Sequence, residues 1–589
     1  MVEDKFRSFT QSQDELHEFS LNIDHLGIVS AMCDELEIIQ IIEHELDNNH
    51  HKMKISTGQA TVAMILNFLN VLQSPLYLAP EFMEKRPVNR LISRSDYEEI
   101  IGENEIDSEY INQHVLGRSL DRIYEYGLEE LFMTIAGRAY QQFHRFTSKF
   151  LHTDTTSMSV YGNFSRSDDD DRVIKLVNGF SKDNNHGLKQ FMISMICCDS
   201  LPLFLSTMDG NTSDKTYFRE LIIEYGQQIL DKFGQQKIFV FDSAFHTDEN
   251  MQTVGNEIAW ITRVPLTIDD AKDLVNDIYL EFEQCSDDKL DDYCISSTQT
   301  EYGTVSQRWI VVSSEGKYQR DKKSILKDVD KVEEAMTSSH SLKNKLEREE
   351  FDGENEAKYE VRMFSSQLQY HHVVEFEISK RKKRTDGKRG RIGKNTPFKW
   401  IYSVDLSIER DQSRIGRHLA TAGRFIVSTN ISEEELNDEE VLLGYKAQLN
   451  VERGFRFLKD PFFFARSVFL EKPERVSALA MLMGLSLLVY NLCELKLREA
   501  LSDNQVKFDD PYHGPTENPT IRRVFQTFMG VHVHYTIWNG EVIREKVLNA
   551  KPWHKQVLEL MGEEYVAKYK DGVDEVSDIL NKSISEKKN

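Results

Sequence analysis

Residues 236–245 read QKIFVFDSAF and place an aspartate, Asp242, directly after a short apolar run. An apolar run of this length, rich in β-branched and aromatic residues, predicts a buried β-strand. A carboxylate that follows four apolar strand residues is costly to bury unless it reaches solvent or a cation. A second strand-like piece, in residues 149–162 (KFLHTDTTSMSVYG), brings Asp154 to a similar position. These two aspartates are the first candidates for a functional site.

The pieces around the two aspartates alternate in a way that is typical of a mixed α/β sheet. Further strands are predicted at residues 186–199, 201–211 and 258–265. A helix is predicted at residues 214–234, capped at Ser213 or Asp214 and closed by Gly234. The order strand, strand, strand, helix, strand, helix, strand indicates the α/β class. In open α/β sheets ligands gather at the carboxyl ends of strands, so two adjacent strands would place both carboxylates on one rim. Either aspartate alone more often begins a turn or caps a helix.

The pattern divides the chain into five segments. The first is a helical N-terminal domain (1–145), followed by the first part of an α/β core (146–267) and an insertion with β-strands (268–433). The second part of the core (434–500) and a helical C-terminal region (501–589) complete the predicted order. Strand-like alternation within the insertion is predicted at 358–364, 371–378, 399–408 and 424–430. The strong helix of the fourth segment contains Glu452.

Composition narrows the class of protein. The chain has 72 basic and 97 acidic residues, a net charge of −25, which counts against a DNA-binding protein because phosphate contacts need Lys and Arg. Clustering matters more than the sum, so local basic patches are the relevant feature. The six cysteines form no CxxC pair, which is typical of a reducing cytoplasm. The N-terminus has no apolar signal-peptide core. The most apolar stretch, residues 476–490, is shorter than the roughly 20 residues of a membrane span and is interpreted as a buried helix.

Residues 444–460, GYKAQLNVERGFRFLKD, predict a helix with two distinct faces. At about 100° per residue, one face collects polar side chains: Tyr445, Gln448, Glu452, Arg456 and Lys459. The neighbouring side collects apolar side chains that can pack on a sheet: Val451, Phe455 and Leu458. A solvated helix with ion pairs would also place a glutamate between cations. The aromatic hydroxyl in the same polar stripe favours a functional face.

Taken together, these segments resemble the insertion-sequence transposases with an RNase H-like core, in the group marked by a Y-x2-R-x3-E-x6-K motif. Tyr445, Gln448, Glu452 and Lys459 stand at that spacing, with Gln448 where the group usually has Arg. The other matching stretches are Asp154-Thr155-Thr156, Gly210-Asn211-Thr212-Ser213-Asp214, ITRVP with Arg263, and GRFIVSTN at 423–430. The resemblance covers about residues 20 to 560.

The resemblance implies a metal-dependent transposase. Asp154, Asp242 and Glu452 would be the catalytic carboxylates and would bind Mg²⁺, with Mn²⁺ as a substitute. Asp154 would bridge two ions. The gaps of 88 and 210 residues between the three agree with this, because the group carries a β-rich insertion between its second Asp and its Glu. The implied partners are double-stranded DNA with terminal inverted repeats and a target DNA. A homodimer is expected on DNA, in the cytoplasm at the nucleoid, with no membrane.

Several residues are expected to contact DNA. The resemblance assigns this role to residues near the carboxylates: Tyr445, Gln448, Arg456, Lys459 and Arg263. Residues 380–399 contain ten Lys or Arg and one acid, and such tracts are typical of nucleic-acid patches. The candidates there are Arg381, Lys382, Lys383 and Arg384. A flexible hairpin tip made soluble by charge is the alternative. Trp400 is a candidate for stacking on a flipped nucleotide, although an aromatic residue in a strand more often packs in a core.

Three functions are compatible with the sequence. The leading hypothesis is an active transposase that cuts transposon-end DNA by metal-assisted hydrolysis and joins the 3′ end to target DNA. The second is an RNase H-like nuclease without strand transfer. The third is a catalytically weak or inactive DNA-binding protein descended from a transposase, which the charge and Gln448 favour and the intact carboxylates disfavour.

Overall fold

The computed structural model describes most of the chain in two compact units. The described residues are 16–46, 53–70, 78–93, 106–143, 148–160, 173–178, 187–337, 342–387, 389–459, 472–538 and 541–574. The first unit is formed by Met1–Trp260 together with Lys446–Asn589, and the second by Ile261–Tyr445. Asp154, Asp242 and Glu452 all belong to the first unit.

The N-terminal part of the first unit is helical after one strand. Its elements are β1 (Leu16–Asn22), α1 (Leu26–Glu35), α2 (Ile38–Leu46), α3 (Thr57–Phe68), α4 (Ala79–Met83), α5 (Val88–Leu91), a 3₁₀ turn (Ser108–Tyr110), α6 (Gln113–Tyr126) and α7 (Leu128–Gln142). Helix α3 begins with a capping box, in which Ser56 and Gln59 satisfy each other's backbone N–H groups. The helices confirm the predicted character of this segment, whereas β1 was not predicted.

The α/β core follows in the predicted order. Its elements are β2 (Phe150–Val160), β3 (Lys189–Cys198), β4 (Leu201–Met208), α8 (Asp214–Leu221), a π-helical turn (Ile222–Gly226), α9 (Gln227–Phe233), β5 (Ile238–Phe241), α10 (Asp248–Val254) and β6 (Trp260–Arg263). Strands β2, β3 and β4 are consecutive antiparallel neighbours, and β5 lies parallel to β2 on its other side. Gly234 ends α9 with a positive φ of 124°, which favours glycine.

Gly210 occupies a position where only glycine fits. A Cβ atom added there would overlap the backbone oxygen of Gln190. The Gln190 side chain donates a 2.6 Å hydrogen bond to the Gly210 oxygen, which fastens the turn before α8 to strand β3. The glycine of the G-N-T/S-x-D stretch is therefore required by close approach of two backbone segments.

The second unit combines a sheet with a helical layer and a long hairpin. Its elements are α11 (Asp269–Asn276), β7 (Glu283–Gln284), a 3₁₀ turn (Asp288–Leu290), β8 (Tyr293–Tyr302), β9 (Val305–Ser314), α12 (Glu315–Thr337), α13 (Leu342–Arg348), α14 (Glu354–Gln367), β10 (His371–Arg384), β11 (Phe398–Arg410), α15 (Gln412–Ala420), β12 (Arg424–Thr429) and α16 (Asp438–Lys446). Antiparallel pairing joins Ile261–Arg263 of β6 to β12, and then continues in the order β9, β8, β7.

Strands β10 and β11 pair with each other over their whole length and pack on α13 and α14. The prediction of a strand at residues 358–364 is wrong, because this stretch lies in α14. Its buried side chains, Ala357, Val361 and Phe364, recur at spacings of three and four, which suits a helix face rather than a strand. The other three strands predicted in this segment are confirmed as β10, β11 and β12.

The C-terminal part returns to the first unit. Its elements are α17 (Leu449–Leu458), α18 (Pro473–Asp503), β13 (Phe508–Asp510), β14 (Gly514–Thr516), α19 (Ile521–Thr527), β15 (His532–Trp538), β16 (Glu541–Leu548), α20 (Pro552–Met561) and α21 (Glu563–Lys568). The prediction of a purely helical C-terminal region is wrong. Strand β15 pairs antiparallel with both β1 and β16, and its sequence HVHYTIW is rich in β-branched and aromatic residues, which suit a strand.

Helix α18 is the apolar stretch that sequence analysis interpreted as a buried helix. Among the described helices it alone is long and apolar enough to cross a membrane, and 89% of its most apolar window is buried inside the protein. Gly484 in this helix faces Phe132 of α7 and Leu205 of β4, and a Cβ atom added at this glycine would lie 2.5 Å from the Leu205 Cδ1 atom. The helix therefore forms part of the core beneath the sheet.

We predict that Gly210→Ala lowers the free energy of unfolding by about 2–3 kcal/mol, because the added methyl group meets a backbone oxygen that cannot rotate away. Gly187→Ala is the matched control in the same unit, since a Cβ atom there meets nothing within 4 Å. Urea unfolding of both variants checks the prediction. Equal midpoints for the two variants would contradict it.

Candidate active site

Strands β2 and β5 bring Asp154 and Asp242 to the same level of the sheet. Their parallel pairing runs from Phe150 opposite Ile238 to His152 opposite Val240. Each aspartate lies two residues beyond that last pair, Asp154 within β2 and Asp242 directly after β5. Side chains point to one face every second residue, and neighbouring strands lie about 4.8 Å apart. The two carboxylates therefore occupy adjacent places on one face, at the carboxyl end of β5.

Both carboxylates are oriented by the backbone that follows them. Asp154 accepts a 2.8 Å hydrogen bond from the Thr155 N–H, and Asp242 accepts one of 2.8 Å from the Ala244 N–H. Both side chains are partly exposed, whereas their neighbours Thr153 and Phe241 are buried. Partly exposed, oriented carboxylates retain access to a cation while losing little side-chain freedom on binding.

A third acidic residue, Asp214, is tied to the same strand. The buried hydroxyl of Thr155 donates a 2.6 Å hydrogen bond to Asp214 Oδ1, at the first residue of α8. Thr155 thus connects the residue after Asp154 to the helix that follows Gly210. Thr155 and Asp214 lie in two stretches that match the transposase pattern, but no role was predicted for either residue. The D-T/S-T/S and G-N-T/S-x-D stretches are 59 residues apart along the chain, and sequence spacing alone gave no signal that they touch.

Glu452 lies on a shorter helix than predicted. The expected continuous helix over residues 444–460 is divided into α16 and α17, with a turn at residues 447–448. Gln448 becomes the N-cap of α17, and its carbonyl accepts the Val451 N–H three residues on. The prediction of one continuous helix over these residues is therefore wrong, and the helical-wheel argument applies only within each of the two helices. Within α17, Glu452 and Arg456 remain on one exposed side.

The apolar side of α17 packs on the sheet next to Asp154. Val451, Phe455 and Leu458 are buried, as predicted. Gly454 lies against strand β3, since a Cβ atom there would be 2.7 Å from the Met195 Cε atom. Met195 is the register partner of Asp154. The helix that carries Glu452 is thus held against the sheet at the level of the first aspartate.

The described residues contain no group of three His, Cys, Asp or Glu side chains that is close enough to hold a metal ion. Asp154 and Asp242 are neighbours, whereas the Glu452 side chain is exposed on α17. The donors themselves fit a hard divalent cation such as Mg²⁺, which prefers carboxylate oxygens and keeps several waters.

Comparison with known families identifies this core. A family model described as a transposase DDE domain matches residues 148–492. The chain belongs to the DDE transposase family. The matched region of this transposase includes both aspartates, Glu452 and the whole second unit. A domain of unknown function (DUF4277) matches residues 19–137, which are the helical N-terminal part. No curated protein matches the chain.

Two other predicted DNA contacts meet in the second unit of the transposase. The Arg263 guanidinium lies 5.5 Å from the centre of the Phe425 ring, and the Tyr445 ring lies 6.5 Å from it. Phe425 therefore links the basic residue of the ITRVP stretch to the tyrosine of the Y-R-E-K spacing. Phe425 was not predicted as a site residue. It lies in the matching stretch GRFIVSTN, but the pattern assigns no role to its aromatic residue.

Several cations of the 380–399 tract are engaged with acids. Arg381 and Lys383 both bind the carboxylate of Glu350, and Arg384 binds Asp386 at 2.5 Å. The pKa of Glu350 is held below its usual range, chiefly by the hydrogen bond from Lys383. Such exposed pairs contribute little to stability and can exchange partners. A phosphate would have to replace a carboxylate at these three positions.

The opposite side of the hairpin carries cations against aromatic rings. The Lys380 ammonium lies 4.5 Å from the centre of the Trp400 ring, and that of Lys382 lies 4.3 Å from the Phe398 ring. The Trp400 side chain is 42% exposed and packs edge-on against Phe398. Trp400 is therefore a surface residue and not part of a core.

The histidines near the aspartates have packing environments. His152 is buried on β2, two residues before Asp154, and burial lowers its pKa to about 4. It is therefore neutral at physiological pH. His246 is also buried, with its ring against Trp260. Asp248 is exposed at the first residue of α10.

We predict that Thr155→Val lowers the free energy of unfolding by about 1.5–3 kcal/mol, because Asp214 loses a buried donor to its charged carboxylate. Thr155→Ser is the matched control, since it keeps the hydroxyl. The measurement is urea unfolding at neutral pH. If the valine variant is as stable as the serine variant, the hydrogen bond does not tie α8 to β2.

Proposed function

We propose that this transposase binds transposon-end DNA, cuts it by metal-assisted phosphodiester hydrolysis and joins the 3′ end to target DNA. The observation that carries the proposal is the alignment of Asp154 and Asp242 on paired parallel strands. The packing of α17 against β3 at the register partner of Asp154 adds Glu452 to the same region. An inactive DNA-binding descendant is not favoured, because it has no need of three such carboxylates.

We also propose that the α/β core of the first unit is RNase H-like. Three antiparallel strands followed by a helix and a fourth strand parallel to the first support it. In this arrangement β2 is central, and both of its neighbours, β3 and β5, contribute to the site. The order β4-β3-β2-β5 and the position of α17 on β2 and β3 are the supporting observations.

In the proposed mechanism Asp154, Asp242 and Glu452 would together hold the divalent metal ions. Bound Mg²⁺ or Mn²⁺ would supply an activated nucleophile and stabilise the leaving oxygen. The Thr155 and Ala244 N–H groups keep the two aspartates oriented toward the same face. Glu452 closes the site from α17. For strand joining, a DNA 3′-hydroxyl takes the place of water.

Residues around Glu452 are proposed to hold phosphates. Arg456 is exposed one helical turn beyond Glu452, and Lys459 lies at the C-cap of α17. Gln448, at the N-cap, brings hydrogen-bond donors but no charge. Membership of the Y-R-E-K group is part of this proposal, with Gln448 as the departure. A guanidinium in that place would bind a phosphate with two parallel hydrogen bonds, which an amide cannot match.

The partners follow from the same proposal. The DNA substrate carries terminal inverted repeats, and a second DNA serves as target. Two ends are brought together when two copies of the transposase form a homodimer on DNA. The proposed location is the cytoplasm, at the nucleoid.

We predict that Asp154→Asn, Asp242→Asn and Glu452→Gln each reduce cleavage of a transposon-end duplex by at least about 10²-fold while DNA binding is retained. The three residues act as one metal-binding unit, so their losses should not add. Asp248→Asn is the matched control, because Asp248 is exposed near Asp242 but lies on α10. Cleavage is measured on a labelled duplex that contains the terminal repeat and its flank.

Metal dependence gives the same experiment a second readout. Cleavage by the parent should require Mg²⁺ or Mn²⁺, stop in EDTA and fail with Ca²⁺, which tolerates looser geometry. Full cleavage in EDTA would refute the metal mechanism. Near-parent cleavage by any one carboxylate variant would remove that residue from the site.

We further predict that the two sides of the β10–β11 hairpin differ in DNA binding. Lys380→Ser with Lys382→Ser should lower the salt slope of duplex binding by about 1.8, since each phosphate contact contributes about 0.9. Arg381→Ser with Lys383→Ser removes the same charge but should lower it less, because these cations already bind Glu350. Binding curves over a salt series decide between them. Equal slopes for the two pairs would show that the ion pairs with Glu350 do not matter.

A further inference from the structure

Helix α12 exposes one row of cations that sequence analysis did not single out. Arg320, Lys323, Lys327 and Lys331 are all exposed. On a helix they fall within about 80° of one another and extend over about 16 Å of its axis. Their successive axial separations are about 4.5–6 Å. Glu334 ends the row on the C-terminal side.

Three carboxylates of α12, Asp321, Asp330 and Glu333, are engaged in contacts within the second unit. Asp321 accepts hydrogen bonds from the Gly423 N–H at 3.0 Å and from Lys317. Asp330 and Glu333 both bind Arg410 of the hairpin. The hydrogen bond from Arg410 lowers the pKa of Glu333 to about 2, so this carboxylate stays charged and paired. The acids thus stabilise the fold and leave the row basic.

Few carboxylates lie close enough to the four cations of the row to neutralise their charge. Among the residues that the structure describes, no carboxylate lies at salt-bridge distance from Arg320, Lys323 or Lys327, and Lys331 has one exposed partner, Asp328, at 3.3 Å. This contrasts with the hairpin tract, where Arg381, Lys383 and Arg384 are all paired. In a chain with a net charge of −25, acids are abundant, and a row in which three of four cations have no carboxylate at salt-bridge distance is a distinct local field.

We propose that this face of α12 binds the phosphate backbone of double-stranded DNA. The inference rests on the proposed function and adds a second contact surface to it. A row of long, exposed cations with Ser324 beside it offers charges and a hydroxyl donor, which suit phosphate oxygens. It offers no apolar centre within the row, which a protein partner would require. The contact would be independent of base sequence and sensitive to salt.

The experiment compares two variants of the full chain that change the charge equally. The test variant is Arg320→Gln, Lys323→Gln and Lys327→Gln. The matched control replaces three exposed cations of the same unit that do not all lie on one helix: Lys272→Gln on α11, and Lys345→Gln and Arg348→Gln on α13. The probe is a fluorescein-labelled duplex of random sequence, about 30 base pairs long. Equilibrium binding is measured between about 50 and 200 mM salt, where phosphate contacts dominate the salt response. Thermal unfolding of both variants checks that they are folded.

The test variant should lower the slope of log K against log salt by about 2–3, and the control by less than about 1. Superimposable curves for the test variant and the control would overturn the inference and leave the row as a solvated helix face. Parent protein that fails to bind the duplex would also overturn it. Failure of the proposed function is measured in a separate experiment: the Asp154, Asp242 and Glu452 variants would then still show metal-dependent cleavage.

Discussion

The parallel pairing of β2 with β5 is the constraint on which the site depends. It fixes Asp154 beside Asp242, because both follow the last paired residues by the same number of positions. Strands that are parallel cannot be joined by a tight turn, so the chain between them must form a crossover. Here that crossover contains β3, β4, α8 and α9, and its Gly210 turn is fastened to β3. The site and the fold therefore share one set of backbone contacts.

A consequence is that the stability of the fold is coupled to the orientation of the Asp154 carboxylate. Thr155 donates to Asp214 while its own N–H orients Asp154. Gly454 lets α17 approach Met195, the register partner of the same aspartate. A disturbance in the core would therefore reach the carboxylates through the backbone of β2. Residues without any contact to substrate can matter for activity by this route.

Sequence periodicity predicted the elements that are continuous and strongly patterned. The strands that carry the aspartates, their order, the buried apolar stretch in α18 and the packing side of α17 were all predictable, because burial imposes a regular spacing. The break between α16 and α17 was not, since residues 445–449 contain no Pro or Gly to mark it. The three-stranded sheet of β1, β15 and β16 was missed because its central strand, β15, pairs with β1, which lies far away in the sequence. Ion pairs such as Arg381 with Glu350 depend on folded geometry and leave no local pattern.

The excess of acidic residues affects how the protein can bind DNA. At long range a net charge of −25 repels DNA, and the repulsion is strongest where salt screens least. Within about 10 Å, local cations outweigh the distant acids, because screened interactions fall steeply with separation. Tight binding then requires several local contacts at once. A DNA that reaches only one basic surface gains little, whereas a DNA long enough to contact several surfaces gains enough to overcome the background. Separated basic patches on an acidic chain would thus set the affinity and salt dependence of DNA binding, whereas base sequence would have to be read by other contacts.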